Sequence, residues 1–176
     1  MTNTRPHLTR FSAADALSAV RLPLAVLFVL VDRFEVRLGA LVLAALTDLG
    51  DGWVARRFGA SRIGAVLDPI VDKLFMLAAF GVVLVSGRLA WPEVVAVLLR
   101  DIIASAAVLI TLLIGVRPAT TVPARIGGKA VTLLQLLTLL AFLVESPYLS
   151  QLAWATGAVS LYALWDYNRL YFRKLP

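Results

Sequence analysis

Six stretches of about twenty mostly apolar residues, set apart by charged or Gly/Pro-bearing breaks, constrain this chain more than any other feature. They lie near 15–32, 36–57, 64–87, 91–115, 127–145 and 149–170. A helix needs roughly 20 largely apolar residues to cross a bilayer, so each stretch has the length of a span. Composition agrees: 60% of the residues are hydrophobic and the mean hydropathy is +0.86, above that of an average soluble domain. The expected fold is all-α and integral to the membrane, a bundle of six transmembrane helices in a single domain over 1–176, with a short N-terminal surface segment. The basic run Arg5 to Arg10 and the apolar residues after it, to Val31, have the outline of a secretory signal. The flank Asp32-Arg33-Phe34-Glu35 lacks the small-x-small pattern of a cleavage site, so the segment is read as the first span.

Basic residues divide unevenly between the two ends of these spans. Arg5, Arg10, Arg56, Arg57, Arg62, Arg117, Arg125, Lys129, Arg169, Arg173 and Lys174 fall on one side, and only Arg33, Arg37 and Arg88 on the other. By the positive-inside rule the richer side is cytoplasmic, and both termini lie there. The formal charge of +6 is thereby accounted for, and no nucleic-acid partner is expected. Cysteine is absent and His7 is the single histidine, which excludes thiol nucleophiles and zinc–thiolate sites and leaves little room for histidine chemistry.

Ionisable side chains within spans cost several kcal/mol unless they face a partner or a wet cavity. Asp48 and Asp51 are three residues apart and Asp68 and Asp72 four apart, spacings that put each pair on one helix face. The second and third spans are antiparallel neighbours joined by a loop around 58–63, so both pairs come to the cytoplasmic end and can converge. Four converging carboxylates stay ionised only if cations compensate them. Oxygen-only ligation suits a hard ion, Mg²⁺ or Mn²⁺, and four negative charges match two such ions. Capped helix ends with solvated acids, or an ion or proton path, would use the same residues. Gly52 and Gly64 each leave room for close approach of a ligand or of a neighbouring helix.

The run Asp48-x₂-Asp51-Gly52-x₂-Ala55-Arg56, then Gly64-x₃-Asp68-x₃-Asp72, resembles the signature of the CDP-alcohol phosphatidyltransferase family, with every fixed residue present. Its spacer, Arg57 to Ile63, is one residue shorter than usual and falls in a loop, where a deletion is tolerated. Asp15-x₂-Ser18-x₂-Arg21-x-Pro23 is a looser likeness to the family's first helix. Gly128-Lys129-x₂-Thr132-x₂-Gln135 is similar to a run of its phosphatidylglycerophosphate and cardiolipin synthase branches.

The resemblance implies transfer of a phosphatidyl group from CDP-diacylglycerol to a polar alcohol, with release of CMP. Glycerol 3-phosphate is the first expectation for the acceptor. Phosphatidylglycerol is the alternative within the family, with inositol phosphate or serine also open. Asp48, Asp51, Asp68 and Asp72 would hold metal, and Asp72 would also take the acceptor's proton. Gly52, Arg56 and Ser61 would meet the CDP-lipid. A phosphate-bearing acceptor calls for fixed cations, for which Arg100, Arg125 and Lys129 are the candidates. Arg21 could pair with an aspartate or hold lipid phosphate. Asp101 adjoins Arg100 but points about 100° away, toward a different neighbour. The resemblance also implies a homodimer, and small size without a transit peptide suggests a bacterial inner membrane with the active site facing the cytoplasm.

Overall fold

The computed structural model describes the backbone of residues 13–58, 64–113 and 126–173, and side chains over 18–50, 70–107 and 127–166. The surface segment, both termini and the two longer cytoplasmic loops expected from the sequence lie outside these residues. Six helices succeed one another: α1 Ala13–Leu30, α2 Phe34–Phe58, α3 Gly64–Val85, α4 Trp91–Leu113, α5 Ile126–Leu143 and α6 Leu149–Arg173. Every boundary falls within three residues of its expected position, and no strand occurs among the described residues. Among the described residues no helix is long and apolar enough to cross a membrane.

The helix ends have local causes. α4 begins at Trp91-Pro92-Glu93, where Glu93 reaches back to accept the Ala90 N–H at 2.7 Å, satisfying a donor that the first turn leaves orphaned. α3 closes on Gly87 at φ +72°, whose N–H donates to the Leu84 carbonyl at 3.0 Å. α5 closes the same way with a less suited residue. Glu145 sits at φ +52°, its N–H donates to Phe142, and the Ser146 N–H donates to Ala141 at 2.8 Å, which is the paired-bond C-cap usually built on glycine.

The chain divides into two compact units, Met1–Val82 and Val83–Pro176. In the first, α1 packs along α2. Phe28 of α1 meets Phe75 of α3 edge to face, with ring centroids 6.1 Å apart. Leu24, Leu41, Ala44, Val71 and Phe75 are buried around them. Arg37, from the first turn of α2, donates to the Phe28 carbonyl at 3.0 Å, pairs with Asp32 and lies over the Phe28 ring, which ties the end of α1 to the start of α2.

In the second unit α6 packs against both α4 and α5, and small residues make the contacts. A Cβ on Gly157 would stand 2.8 Å from the Ala96 Cβ, and one on Gly127 would stand 3.4 Å from that of Ala163. The Thr138 and Thr156 hydroxyls meet at 3.2 Å across α5 and α6, each also donating to the carbonyl four residues earlier in its own helix. Glu93 and Ser150 join the starts of α4 and α6 through a hydrogen bond.

The core is mainly apolar, with a few polar groups inside and large apolar side chains outside. Ser18, Arg21, Gln135, Thr138, Thr156 and Ser160 are buried, while Leu30, Leu46, Leu49, Leu77, Val85 and Leu133 each show more than half their surface.

Candidate active site

α1 has Ser18, Arg21, Leu24, Ala25 and Phe28 buried, so its inner face carries one charge among small and apolar side chains. Arg21 is 2% exposed. A charge so enclosed must be compensated, and one acid from each of the two pairs singled out by their spacing faces it. Nη2 of Arg21 lies 3.4 Å from Asp48 of α2, and Nη1 lies 3.6 Å from Asp72 of α3. One guanidinium edge therefore bridges the first acid of one helix and the last acid of the next.

Arg21 is itself oriented by α2. Its Nε donates to the Thr47 hydroxyl at 3.2 Å, and that hydroxyl donates to the Ala44 carbonyl at 2.8 Å. Thr47 precedes Asp48, so one turn of α2 supplies both the anchor of the guanidinium and one of the acids it binds. The Asp48 and Asp72 side chains remain 49% and 38% exposed. Of the two roles open to Arg21, pairing with aspartate is the one seen.

Other members of the expected site are placed by backbone alone. Asp51 lies one turn beyond Asp48 in α2, with Gly52 and Arg56 after it, and Asp68 lies one turn before Asp72 in α3. Their side chains, and Ser61 and Arg125 altogether, lie outside the described residues. Among the described residues no group of three or more acids or histidines is placed to hold a metal ion. The two carboxylates that are described fit a hard divalent cation in kind: oxygen donors, accessible on one side, with no thiolate anywhere in the chain to favour a softer metal.

The second unit carries the residues expected to meet the acceptor. Arg100 of α4 donates from Nη1 to the Gly128 carbonyl at 3.1 Å, and Thr132 donates to the same oxygen at 3.3 Å. Lys129 is the next residue and is exposed. Arg100 and Lys129 are thus brought to one end of α5. Among the described residues no acid pairs with Arg100. Its neighbour Asp101 turns elsewhere, as the helical spacing requires, accepting a hydrogen bond from the buried Gln135 amide at 2.7 Å. The same amide donates to the Val97 carbonyl at 3.0 Å.

Thr47 and the Asp101–Gln135 contact were not singled out by the sequence. Thr47 has no distinguishing signal beyond standing next to Asp48. Gln135 belonged to a recognised run, and a buried amide within an apolar helix is itself a cue that a polar partner faces it.

Comparison with known proteins bears on the whole of this arrangement. The profile of CDP-alcohol phosphatidyltransferase matches residues 11–165. The cardiolipin synthase (CMP-forming) of Rattus norvegicus is 31% identical over 110 residues, 60% of this chain and 36% of the rat protein. A Mycobacterium tuberculosis protein provisionally named as a cardiolipin synthase is 35% identical over 135 residues, 72% of this chain and 63% of its own length. The CDP-diacylglycerol–glycerol-3-phosphate 3-phosphatidyltransferase of Blochmanniella floridana is 31% identical over 123 residues, 68% of this chain and 62% of its own. The chain thus spans between about a third and just under two thirds of the length of these relatives. No solved structure matches it. With the profile running from before α1 into α6 and so across both acid pairs, the chain belongs to the CDP-alcohol phosphatidyltransferase family.

Proposed function

We propose that this chain is a membrane enzyme that transfers the phosphatidyl group of CDP-diacylglycerol to glycerol 3-phosphate, releasing CMP. The observation that carries the reading is the meeting of Asp48 and Asp72 on one guanidinium, which joins the two halves of the aspartate signature in space. Family membership supplies the reaction class.

In this reading Asp48, Asp51, Asp68 and Asp72 hold Mg²⁺ or Mn²⁺, as two ions. A divalent cation bound there would neutralise charge on the pyrophosphate and on the departing CMP. Asp72 accepts the proton of the acceptor hydroxyl as that oxygen bonds to the lipid-linked phosphorus and the phosphorus–oxygen bond to CMP breaks. Gly52 gives the nucleotide backbone-close access, Arg56 faces phosphate charge, and Ser61 donates to the nucleotide. Arg100, Arg125 and Lys129 hold the acceptor's own phosphate. The Arg100–Gly128 bond favours this assignment, because it fixes a guanidinium beside Lys129 at one helix end.

The bilayer belongs to the same proposal. The helices run 18 to 25 residues, about 27 to 37 Å at about 1.5 Å per residue, lengths that bracket a hydrocarbon core of about 30 Å. Exposed leucines and valines with polar groups turned inward suit lipid better than water. The uneven distribution of Lys and Arg supports a cytoplasmic side for both termini and the aspartates, and a bacterial inner membrane and a homodimer complete the reading.

A second acceptor has its own support, since matched relatives carry the name cardiolipin synthase, and phosphatidylglycerol would then replace glycerol 3-phosphate. One assay separates the two: purified chain, CDP-diacylglycerol, Mn²⁺ or Mg²⁺ and either acceptor, with CMP and lipid mass both measured. CMP and phosphatidylglycerophosphate with glycerol 3-phosphate is the expected result. CMP with phosphatidylglycerol alone transfers the assignment to cardiolipin synthesis, and no CMP with any polar alcohol refutes the transferase reading.

A further inference from the structure

We propose that Arg21 is a positioning residue for the divalent cation, its guanidinium holding Asp48 of α2 and Asp72 of α3 in the orientation from which both carboxylates reach the ion. The inference rests on the metal-dependent reading above and goes beyond it by assigning a role on α1, outside the aspartate signature.

Three observations carry it. Arg21 is 2% exposed and each terminal nitrogen faces a different acid, so the fork of the guanidinium spans two helices, as a single ammonium cannot. Separations of 3.4 and 3.6 Å exceed the roughly 2.7–2.9 Å of a direct charge-assisted bond, and each of these contacts uses one carboxylate oxygen. A carboxylate offers about four acceptor sites, so one such contact steers an acid without by itself preventing metal ligation. Finally, Thr47 accepts from the Nε of Arg21 while its own proton is committed to Ala44, so the α2 backbone tethers the guanidinium at a third point besides the two acids.

Two effects oppose each other when Arg21 is removed. Loss of a nearby cation relieves repulsion toward a metal ion and favours binding. Loss of the bridge lets two like-charged carboxylates turn apart and disfavours it. Removing a group that orients metal ligands from outside typically costs about 10–100-fold in affinity, which makes positioning the larger effect.

The test is Mn²⁺ binding to the full chain in detergent micelles without lipid substrate, read from the electron paramagnetic resonance signal of free Mn²⁺. Arg21→Met is expected to weaken binding by about 10–100-fold. Arg21→Lys, with unchanged charge, is expected to weaken it nearly as much. In the CMP-release assay the Mn²⁺ concentration for half-activation rises by the same factor, and saturating Mn²⁺ restores a KM for CDP-diacylglycerol close to that of the unaltered chain. Unchanged or tighter Mn²⁺ binding by Arg21→Met, or normal binding by Arg21→Lys, overturns the proposal. Should Arg21→Met not fold, Thr47→Val keeps the guanidinium and loses only its anchor. Weaker Mn²⁺ binding by that variant supports the proposal, and unchanged binding overturns it. Asp48→Asn separates the underlying reading: if the unaltered chain binds no Mn²⁺, or Asp48→Asn binds it normally, the metal site itself is refuted.

Discussion

The two units bury polar groups in opposite ways. The first buries a charge, Arg21, besides the neutral Ser18, and answers the charge with two half-exposed carboxylates and a threonine. The second buries neutral groups, Gln135, Thr138, Thr156 and Ser160, and answers Gln135 with the Asp101 carboxylate and a backbone carbonyl and the two threonines with backbone carbonyls. Of the buried side-chain polar atoms among the described residues, the Ser160 hydroxyl alone has no hydrogen-bond partner. A hydroxyl that returns to its own helix asks nothing of a ligand, and with glycines and alanines it lets helices approach closely. A buried ion pair is different, because breaking it leaves an uncompensated charge, a cost borne where chemistry gains from it. In the proposed reading the first unit carries the reaction and the second mainly the packing, with Arg100 the exception beside the start of α5.

The sharpest way to break this contrast is at Asp72. Asp72→Asn keeps the shape and removes the proton acceptor, and turnover is expected to fall by about 10²–10⁴-fold. CDP-diacylglycerol binding, measured separately, should stay within a few fold of the original. Near-normal turnover would show that Asp72 neither takes the proton nor matters to the ion.

Arg100 tests whether the second unit has a part in chemistry. A guanidinium bonded to a phosphate contributes about 1.5–3 kcal/mol, so Arg100→Met is expected to raise the KM for glycerol 3-phosphate by about 10–100-fold with a smaller change in kcat. If KM is unmoved while the melting temperature drops, the Arg100–Gly128 bond only fastens α4 to α5, and the acceptor is recognised elsewhere.

Much of this was legible in the sequence, and what was missed has a physical pattern. Runs of apolar residues located all six helices, since each break is a local event: Asp32-Arg33 after α1, Gly87-Arg88 after α3, Ser146-Pro147 after α5. The face-sharing of Asp48 and Asp72 with their signature partners came from helical spacing alone. Arg21 and Thr47 are 26 residues apart and Asp101 and Gln135 34 apart, and no local pattern couples residues at such separations. For the same reason Arg21 stood equally well beside an acid or a lipid phosphate until the helices were packed. The left-handed Glu145 was also invisible, because glutamate gives no sign of adopting a conformation that favours glycine.

Packing in the second unit is open to a test that should spare the first. At Gly157 a Cβ would already crowd Ala96 at 2.8 Å, so Gly157→Val forces α4 and α6 apart. A loss of about 1–3 kcal/mol is expected, read as a lower thermal midpoint in detergent. Mn²⁺ binding at temperatures below the transition should be unchanged. If Mn²⁺ binding falls in step with stability, the division between a reacting and a packing unit does not hold.

The smallest effect concerns the α5 C-cap, where the sign is opposite. Glu145 holds a backbone conformation that costs an L-residue roughly 1–2 kcal/mol, whereas glycine adopts it freely but gives up more chain entropy on folding, about 0.5–1 kcal/mol. Its side chain pairs with Arg88 at 3.8 Å while 81% exposed, a contact too long and too wet to outweigh that strain. Glu145→Gly is therefore expected to stabilise the chain by up to about 1 kcal/mol, with CMP release unchanged because the turn belongs to neither the acids nor Arg100. A lower melting temperature would mean that the Arg88 pair or the glutamate backbone contributes more than the strain removes, and that the cap at Ser146 does not depend on the residue in front of it.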